Sequence, residues 1–367
     1  MKKQMLNLTV FYTLLLCVLI FCVQVSELSA KPNAKGNNRD REISVMTRNM
    51  YLGTDFSEIF AARSGNELLA EVAEAYAEVE ASKPTERIAG IADEIEASAP
   101  TLVGLQEVAL WRIGTPFNPA PAETVTYDFL QLLLDELAAR GLHYAPVAIQ
   151  TNFDAEVPAV YSQTNAFDVR FTDRLVVLAR TDLKTSQFKL EGTHVQQFLT
   201  NLTLPTTTLG TLTIPRGWIS VDVKMRGKIY RVVNAHLESF SPIINYIQAN
   251  ELLQTAANTN LPLVFAGDFN TDAEANDGTY QLLRNAGFID VWKATHPNEP
   301  GFTWALFLDN PYAYTNPTQR LDLILIRGDI DALDADVVGE NPVTDRTPSG
   351  LMRSDHAGVI GLLKLKP

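Results

Sequence analysis

Short apolar segments with β-strand character recur along the whole chain, and many carry an acid, an amide or a histidine at one end. Residues 102–106 run into Glu107, residues 263–266 into Gly267-Asp268-Phe269-Asn270, and the strand ending at Val233 into Asn234 and His236. Residues 43–47 alternate and lead to Asn49, residues 321–326 carry Asp322, and Asp355-His356 stands before the strand at 357–363. The clearest hairpin spans 218–233, with its turn near Gly227. Loops at strand ends can gather side chains from many elements, so this recurrence constrains the fold and locates a site at once.

Helical spacing is sparser. Residues 84–97 put Ile88, Ile91 and Ile95 on one face, with Pro84 in the first turn. Residues 127–139 form a second helix with Gly141 as its carboxyl cap. Ser241-Pro242 starts a third, carrying Ile244, Ile247 and Leu252, and a fourth at 280–285 is stopped by Gly287. Strands outnumber helices, and residues 174–179 add another buried one. The pattern predicts an α/β fold in which two sheets pack face to face with helices outside.

The chain opens with Lys2 and Lys3, an apolar run of about 16 residues and Ser29-Ala30, the pattern of a secretory signal peptide over residues 1–30. Residues 31–41 read as a flexible polar leader, and residues 42–367 as one catalytic domain. Cleavage after Ala30 removes both cysteines, Cys17 and Cys22, and moves the net charge from −13 to −14. The expected product is an exported, thiol-free protein, consistent with a bacterial surface. With 46% hydrophobic and 20% charged residues the composition excludes wholesale disorder, and the acidic balance excludes a broad basic grip on nucleic acid.

The strand-end residues define a chemistry. Carboxylates and amide oxygens are hard ligands, suited to Mg²⁺ or Mn²⁺ and not to zinc. Such an ion beside histidines and an aspartate suits phosphate ester hydrolysis, in which a carboxylate aligns or deprotonates water. Taken singly, Glu107 or Asp322 reads as a solvated strand-end charge, Asn234 as a turn hydrogen bond, and Gly267 as room for a tight backbone path. His143, His194 and His296 match no pattern, and Trp304 reads as packing near the site.

Six segments together, TRNMYLG (47–53), LVGLQEV (102–108), VVNAHLES (232–239), VFAGDFNTD (264–272), QRLDLIL (319–325) and RSDHAGV (353–359), resemble the endonuclease/exonuclease/phosphatase superfamily. That group includes pancreatic-type deoxyribonucleases, apurinic endonucleases, bacterial sphingomyelinases and inositol polyphosphate phosphatases. The resemblance implies a four-layer α/β sandwich, two mostly antiparallel mixed sheets flanked by helices. It also implies roles. Glu107 would be the principal metal ligand, with Asn49 beside it and Asp355 completing the shell or its second layer. Asp268 would orient or deprotonate water, and Asn270 would hold that water and a phosphate oxygen. Asp322 would fix the tautomer of His356, which would stabilise the transition state, and His236 would assist the leaving group. Histidine at 236, where apurinic endonucleases carry tyrosine, argues against a dedicated abasic-site enzyme.

Substrate choice rests on loops. Arg48, Arg112, Arg174, Arg320 and Arg353 flank the segments and either neutralise substrate phosphates or pair with nearby carboxylates. The nuclease-like reading competes with a sphingomyelinase- or phospholipase C-like one. Residues 192–215 contain no Asp, Glu, Lys or Arg and read as an extended hairpin for peripheral membrane contact, or as a covered sheet edge. The inositol phosphatase pattern is weaker, since no Trp precedes GDFN. A silent binding or toxin-like protein would be expected to have lost a catalytic position, and none is lost. No segment indicates an obligate protein partner.

Overall fold

The computed structural model describes residues 41–366 apart from Gln163 and Arg226. The expected signal peptide, residues 1–30, and all but the last residue of the leader lie outside the described residues. In chain order the elements are β1 (Glu42–Asn49), α1 (Ser57–Ala61), α2 (Gly65–Ala81), α3 (Pro84–Ser98), β2 (Leu102–Gln106), β3 (Leu110–Gly114), β4 (Thr124–Asp128), α4 (Phe129–Ala139), β5 (Tyr144–Ser162) and β6 (Asn165–Arg180). They continue with β7 (Lys189–Gln197), β8 (Leu202–Pro205), β9 (Thr211–Ile214), β10 (Gly217–Met225), β11 (Lys228–His236), α5 (Pro242–Gln254), β12 (Leu263–Asp268), α6 (Gly278–Asn285), β13 (Ile289–Asp290), α7 (Val291–Thr295), β14 (Asp322–Arg327), β15 (Ile330–Val338) and β16 (Gly358–Leu365).

Two mixed sheets carry the fold. The first runs β15-β16-β1-β2-β6-β3-β4, with β5 also paired to β6, and the second runs β13-β14-β12-β11-β10-β7. β1 with β2, and β11 with β12, are the parallel pairs. Period-two alternation explains the layering. Val45, Leu102, Val177, Val232, Val264 and Ile324 fill the seam between the sheets. Their neighbours Met46, Val103 and Val176 point the other way, onto Val79, Ile88, Ile91, Ile95 and Leu133 of α2, α3 and α4. On the far side Val233, Phe265, Leu323 and Leu325 meet Leu252 of α5 and Leu283 of α6. The result is helices, sheet, sheet, helices, the expected four-layer sandwich.

Local signals set the boundaries. The Asp128 carboxylate accepts the N–H groups of Leu130 and Gln131, so α4 begins at Phe129, two residues later than its spacing predicts. Gly267 on β12 lies close against β11, where a Cβ would lie 2.2 Å from the Ala235 carbonyl oxygen. The tight-path reading of that glycine therefore holds.

Three expectations change. Asn234 is no turn residue. Its amide donates to the carbonyls of Leu105 and Val176 (both 3.0 Å), and its oxygen accepts from Gln106 at 2.7 Å, tying one sheet to the other. Helix α5 follows its periodicity only in part: Leu252 is buried and Ile244 half-buried as expected, but Ile247 is exposed while Asn245 and Gln248 are buried. The cause is backbone satisfaction. Asn245 donates to the carbonyls of Glu238, Phe269 and Asn270 at 2.8, 2.9 and 3.1 Å, and Gln248 accepts the Glu238 N–H at 2.8 Å. Residues 192–215, finally, are not one hairpin. β7 is an edge strand on β10, while β8 and β9 form a separate ribbon whose Leu209 packs back on the protein; Phe198 and Leu202 are buried, Phe198 against the Trp218 cluster. No helix among the described residues is long and apolar enough to cross a membrane.

Candidate active site

Strand direction assembles the site. Because β1 parallels β2 and β11 parallels β12, each pair ends on one edge of its sheet. Antiparallel β14 starts where β12 ends, placing Asp322 opposite Asp268, and His236 is likewise opposite Asp268. Strand β16 runs antiparallel to β1, which brings the preceding His356 to the end of β1. Glu107, His236, Asp268, Asn270, Asp355 and His356 line one cleft of about 900 Å³. Buried Asn49 and Asp322 stand behind them, so all eight residues expected from the sequence are brought together.

Asp322 and His356 form a buried pair, with Nδ1 2.8 Å from the Asp322 carboxylate. The other ring nitrogen, Nε2, lies 3.7 Å from Oδ2 of Asp268. Burial pulls the His356 imidazole down, but Asp322, then Asp268 and Asp355, override it and hold it well above the usual histidine range. His356 is therefore an imidazolium. Asp268 is pushed up to about 6, chiefly by burial and further by Asp322, against the lowering pull of His356. Its Oδ1 accepts the Asn270 N–H at 3.0 Å, while the Asn270 side chain donates to the Leu237 carbonyl, also at 3.0 Å. His236 behaves oppositely. Burial first, then the charges of Arg216 and His356, hold it well below the usual range, so it is neutral, with Nε2 3.5 Å from Asp268.

Glu107 occupies a left-handed backbone position (φ 56°), as do Tyr51 (58°) and Asn270 (46°), so three cleft loops carry strain. Its carboxylate accepts from the Asn49 amide at 3.1 Å and from the Leu52 N–H at 2.9 Å. Desolvation, then the negative charge of Asp355, pushes Glu107 up to about 7. A carboxylate held near half-ionisation by burial and then by a second carboxylate suits a hard divalent cation, which would relieve both effects. Glu107 and Asp355 thus fit a metal. Asn49 fits less well than expected: its NH₂ faces Glu107 and Asp268 (both 3.1 Å), and its oxygen accepts the Tyr51 N–H at 2.9 Å. It joins two carboxylates and does not offer an oxygen to an ion. Ligand atoms of Asp268, Asp322 and His356 also lie within 4.8 Å of one another. The proton between Asp322 and His356 competes with a cation there.

The five flanking arginines resolve toward packing. Arg48 pairs with Glu94, Arg112 with Asp154, Arg174 with Asp128, Arg320 with Asp290 and Glu274, and Arg353 with Glu94. Arg48 also donates to the His356 carbonyl, and buried Arg87 holds the carbonyls of Met50 and Arg353 at 2.8 and 3.0 Å. Sequence reading missed the cation that does line the cleft. Arg216 precedes β10, whose Gly217 is registered opposite His236, and its Nη1 lies 3.1 Å from Nδ1 and 3.3 Å from Nε2 of that ring. The hairpin register was the signal that could have found it. Trp304 also lines the cleft, its ring centroid 6.4 Å from that of His356. His194 and His296 instead pack on Trp218 and Trp292, and His143 is exposed.

Residues 65–356 match the Endonuclease/Exonuclease/phosphatase family. The chain belongs to that family. Members of the endonuclease/exonuclease/phosphatase family hydrolyse phosphoester bonds, and the cleft holds acid, amide and imidazole groups suited to that chemistry. Solved structures repeat the fold. A family protein from Leptotrichia buccalis is 14% identical with a TM-score of 0.55, covering 89% of this chain and 100% of its own. A family protein from Bacteroides thetaiotaomicron is 15% identical with a TM-score of 0.53, covering 90% and 100%. TDP2 of D. rerio, solved with a single-strand DNA product, is 18% identical with a TM-score of 0.51, covering 89% and 100%. No curated protein matches the chain.

Proposed function

We propose that this protein is an exported hydrolase of phosphodiesters that depends on Mg²⁺ or Mn²⁺. The observation that carries the reading is the buried Asp322–His356 pair facing Asp268 across the cleft, in the same cleft as Glu107 and Asp355. An ion held by Glu107 and Asp355 would supply fixed positive charge to the phosphoryl oxygens. Asp268 accepts the proton of the attacking water, with its orientation set by the Asn270 N–H and the Asn49 amide. His356, its Nδ1 proton held by Asp322, donates from Nε2 to a phosphoryl oxygen as charge builds there. Neutral His236 stands ready to assist the departing oxygen.

Two substrate classes meet this chemistry. The nuclease-like reading draws on the fold shared with TDP2 of D. rerio, solved with DNA, and on Arg216 as a local phosphate contact. Replacing Arg216 by Ala is expected to raise KM about tenfold or more with a smaller change in kcat, because a charged hydrogen bond to substrate is lost. Arg216→Lys should recover part of it; equal falls in kcat and kcat/KM would assign Arg216 to the transition state instead. The lipid-headgroup reading draws on the exposed apolar side chains Phe240 and Leu308 in the cleft lining, which stand there beside acidic ones such as Asp55, Glu58 and Asp309. Assays of the purified protein with Mg²⁺ on plasmid DNA, RNA, sphingomyelin and phosphatidylinositol, with a chelator control, separate the two. Full activity on every cleaved substrate under chelation would refute the metal dependence.

A further inference from the structure

The outward face of α5 is unlike an ordinary solvated helix face. Ile243, Tyr246 and Ile247 are 74%, 45% and 40% exposed, and Phe240, just before the helix, is 61% exposed. Leu199, 85% exposed, adjoins them: its N–H is held at 3.0 Å by Glu251, one turn beyond Ile247, and Gln248 donates to the Thr200 carbonyl at 2.9 Å. The inward amides explain why isoleucine is not buried here, but they do not require isoleucine outside, where a polar residue would cost nothing. Five large apolar side chains gathered on one surface mark a contact.

Charge says what kind. Residues 192–215 and 239–250 contain no Asp, Glu, Lys or Arg, in a chain that is 20% charged. These two stretches, remote in sequence, meet at Leu199 and α5. The face also reaches the cleft, since Phe240 and Ser239 line it together with Leu308, itself 61% exposed.

We propose that this face seats the protein on a lipid surface of zwitterionic headgroups, with the cleft opening at the interface. A chain of net charge −13 is repelled by anionic bilayers, so attraction must come from apolar insertion, and across the two uncharged stretches, where Glu251 at their junction already holds the Leu199 N–H, insertion strips water from few ions. Nucleic acid would find no Lys or Arg on either stretch to hold its phosphates. A second copy on this face would cover Phe240 and with it the mouth of the cleft. The purpose of the docking rests on the phosphodiesterase reading; the docking itself does not.

Cosedimentation of the purified protein with phosphatidylcholine vesicles tests the assignment without turnover. Ile243→Glu combined with Ile247→Glu is expected to weaken vesicle binding about tenfold or more, from the apolar area withdrawn, while hydrolysis of soluble bis(p-nitrophenyl) phosphate stays unchanged. Ile243→Leu combined with Ile247→Leu should keep binding. Wild-type protein that stays in the supernatant, or binding indifferent to the glutamates, overturns the proposal. So does a dimer, or a complex with single-stranded DNA, that the glutamates disrupt. Vesicle binding by a protein that cleaves no phosphodiester would sink the hydrolase reading and leave this one standing.

Discussion

Asp268→Asn and His356→Ala are each expected to lower kcat by about 10³-fold or more, with the fold intact by circular dichroism. Asparagine keeps the shape of Asp268 and one acceptor oxygen, enough for one of the two bonds that Asp268 accepts from Asn49 and Asn270, and it cannot accept a proton from water. Removing the His356 ring deletes the cation that faces Asp268 and leaves Asp322 buried without its partner. Because these groups act as a unit, the double variant should fall little below the worse single one. Asp322→Asn tests the positioning role: it preserves shape but removes the largest influence holding the His356 proton, and a fall of about 10²-fold or more is expected. The pH profile follows the same groups. Below about 6 Asp268 is protonated and cannot serve as base, so kcat should rise as pH increases through that value. His356, held well above the usual range, keeps its proton across the neutral region. Near-wild-type turnover in folded Asp268→Asn protein would reject the mechanism.

The second large effect concerns the cation. Glu107→Gln is expected to raise the Mg²⁺ concentration for half-maximal activity about tenfold or more, since one anionic oxygen ligand is lost. In the metal-free protein Glu107 takes up a proton near pH 7. A cation must displace it, so binding should strengthen as pH rises toward 7 and level off above, with proton release visible by calorimetry in buffers of different ionisation heat. The stability linkage has the matching sign. With its folded pKa raised from 4.5 to about 7, Glu107 favours the metal-free fold fully below 4.5, and that contribution is lost as pH rises through 7. An Mg²⁺ titration unaltered in Glu107→Gln would remove Glu107 from the metal site.

The sequence made the strand ends legible because a strand that stops on an acid or histidine is a local pattern. Ile88, Ile91 and Ile95 were legible for the same reason, their spacing alone naming the buried face of α3. What escaped is set by pairing across distance. Arg216 gains its place only through the register of β10 on β11, and the five flanking arginines look identical in sequence whether they meet substrate or a carboxylate. Helix α5 departed from its periodicity at Ile247 because loop carbonyls draw the amide of Asn245 into the buried face beside Leu252. Asn234 became a tie between sheets for a similar reason, its partners lying on strands more than fifty residues away in the chain.

The eight site residues divide evenly between the two sheets. Asn49, Glu107, Asp355 and His356 come from the first, and His236, Asp268, Asn270 and Asp322 from the second. The bonds Asn49–Asp268 and His356–Asp322 both cross from one to the other. Catalysis is thus a gauge of how the halves are seated. A slip of one sheet against the other by a single residue would leave every strand paired and every helix in place, yet would part base from imidazolium and extinguish turnover.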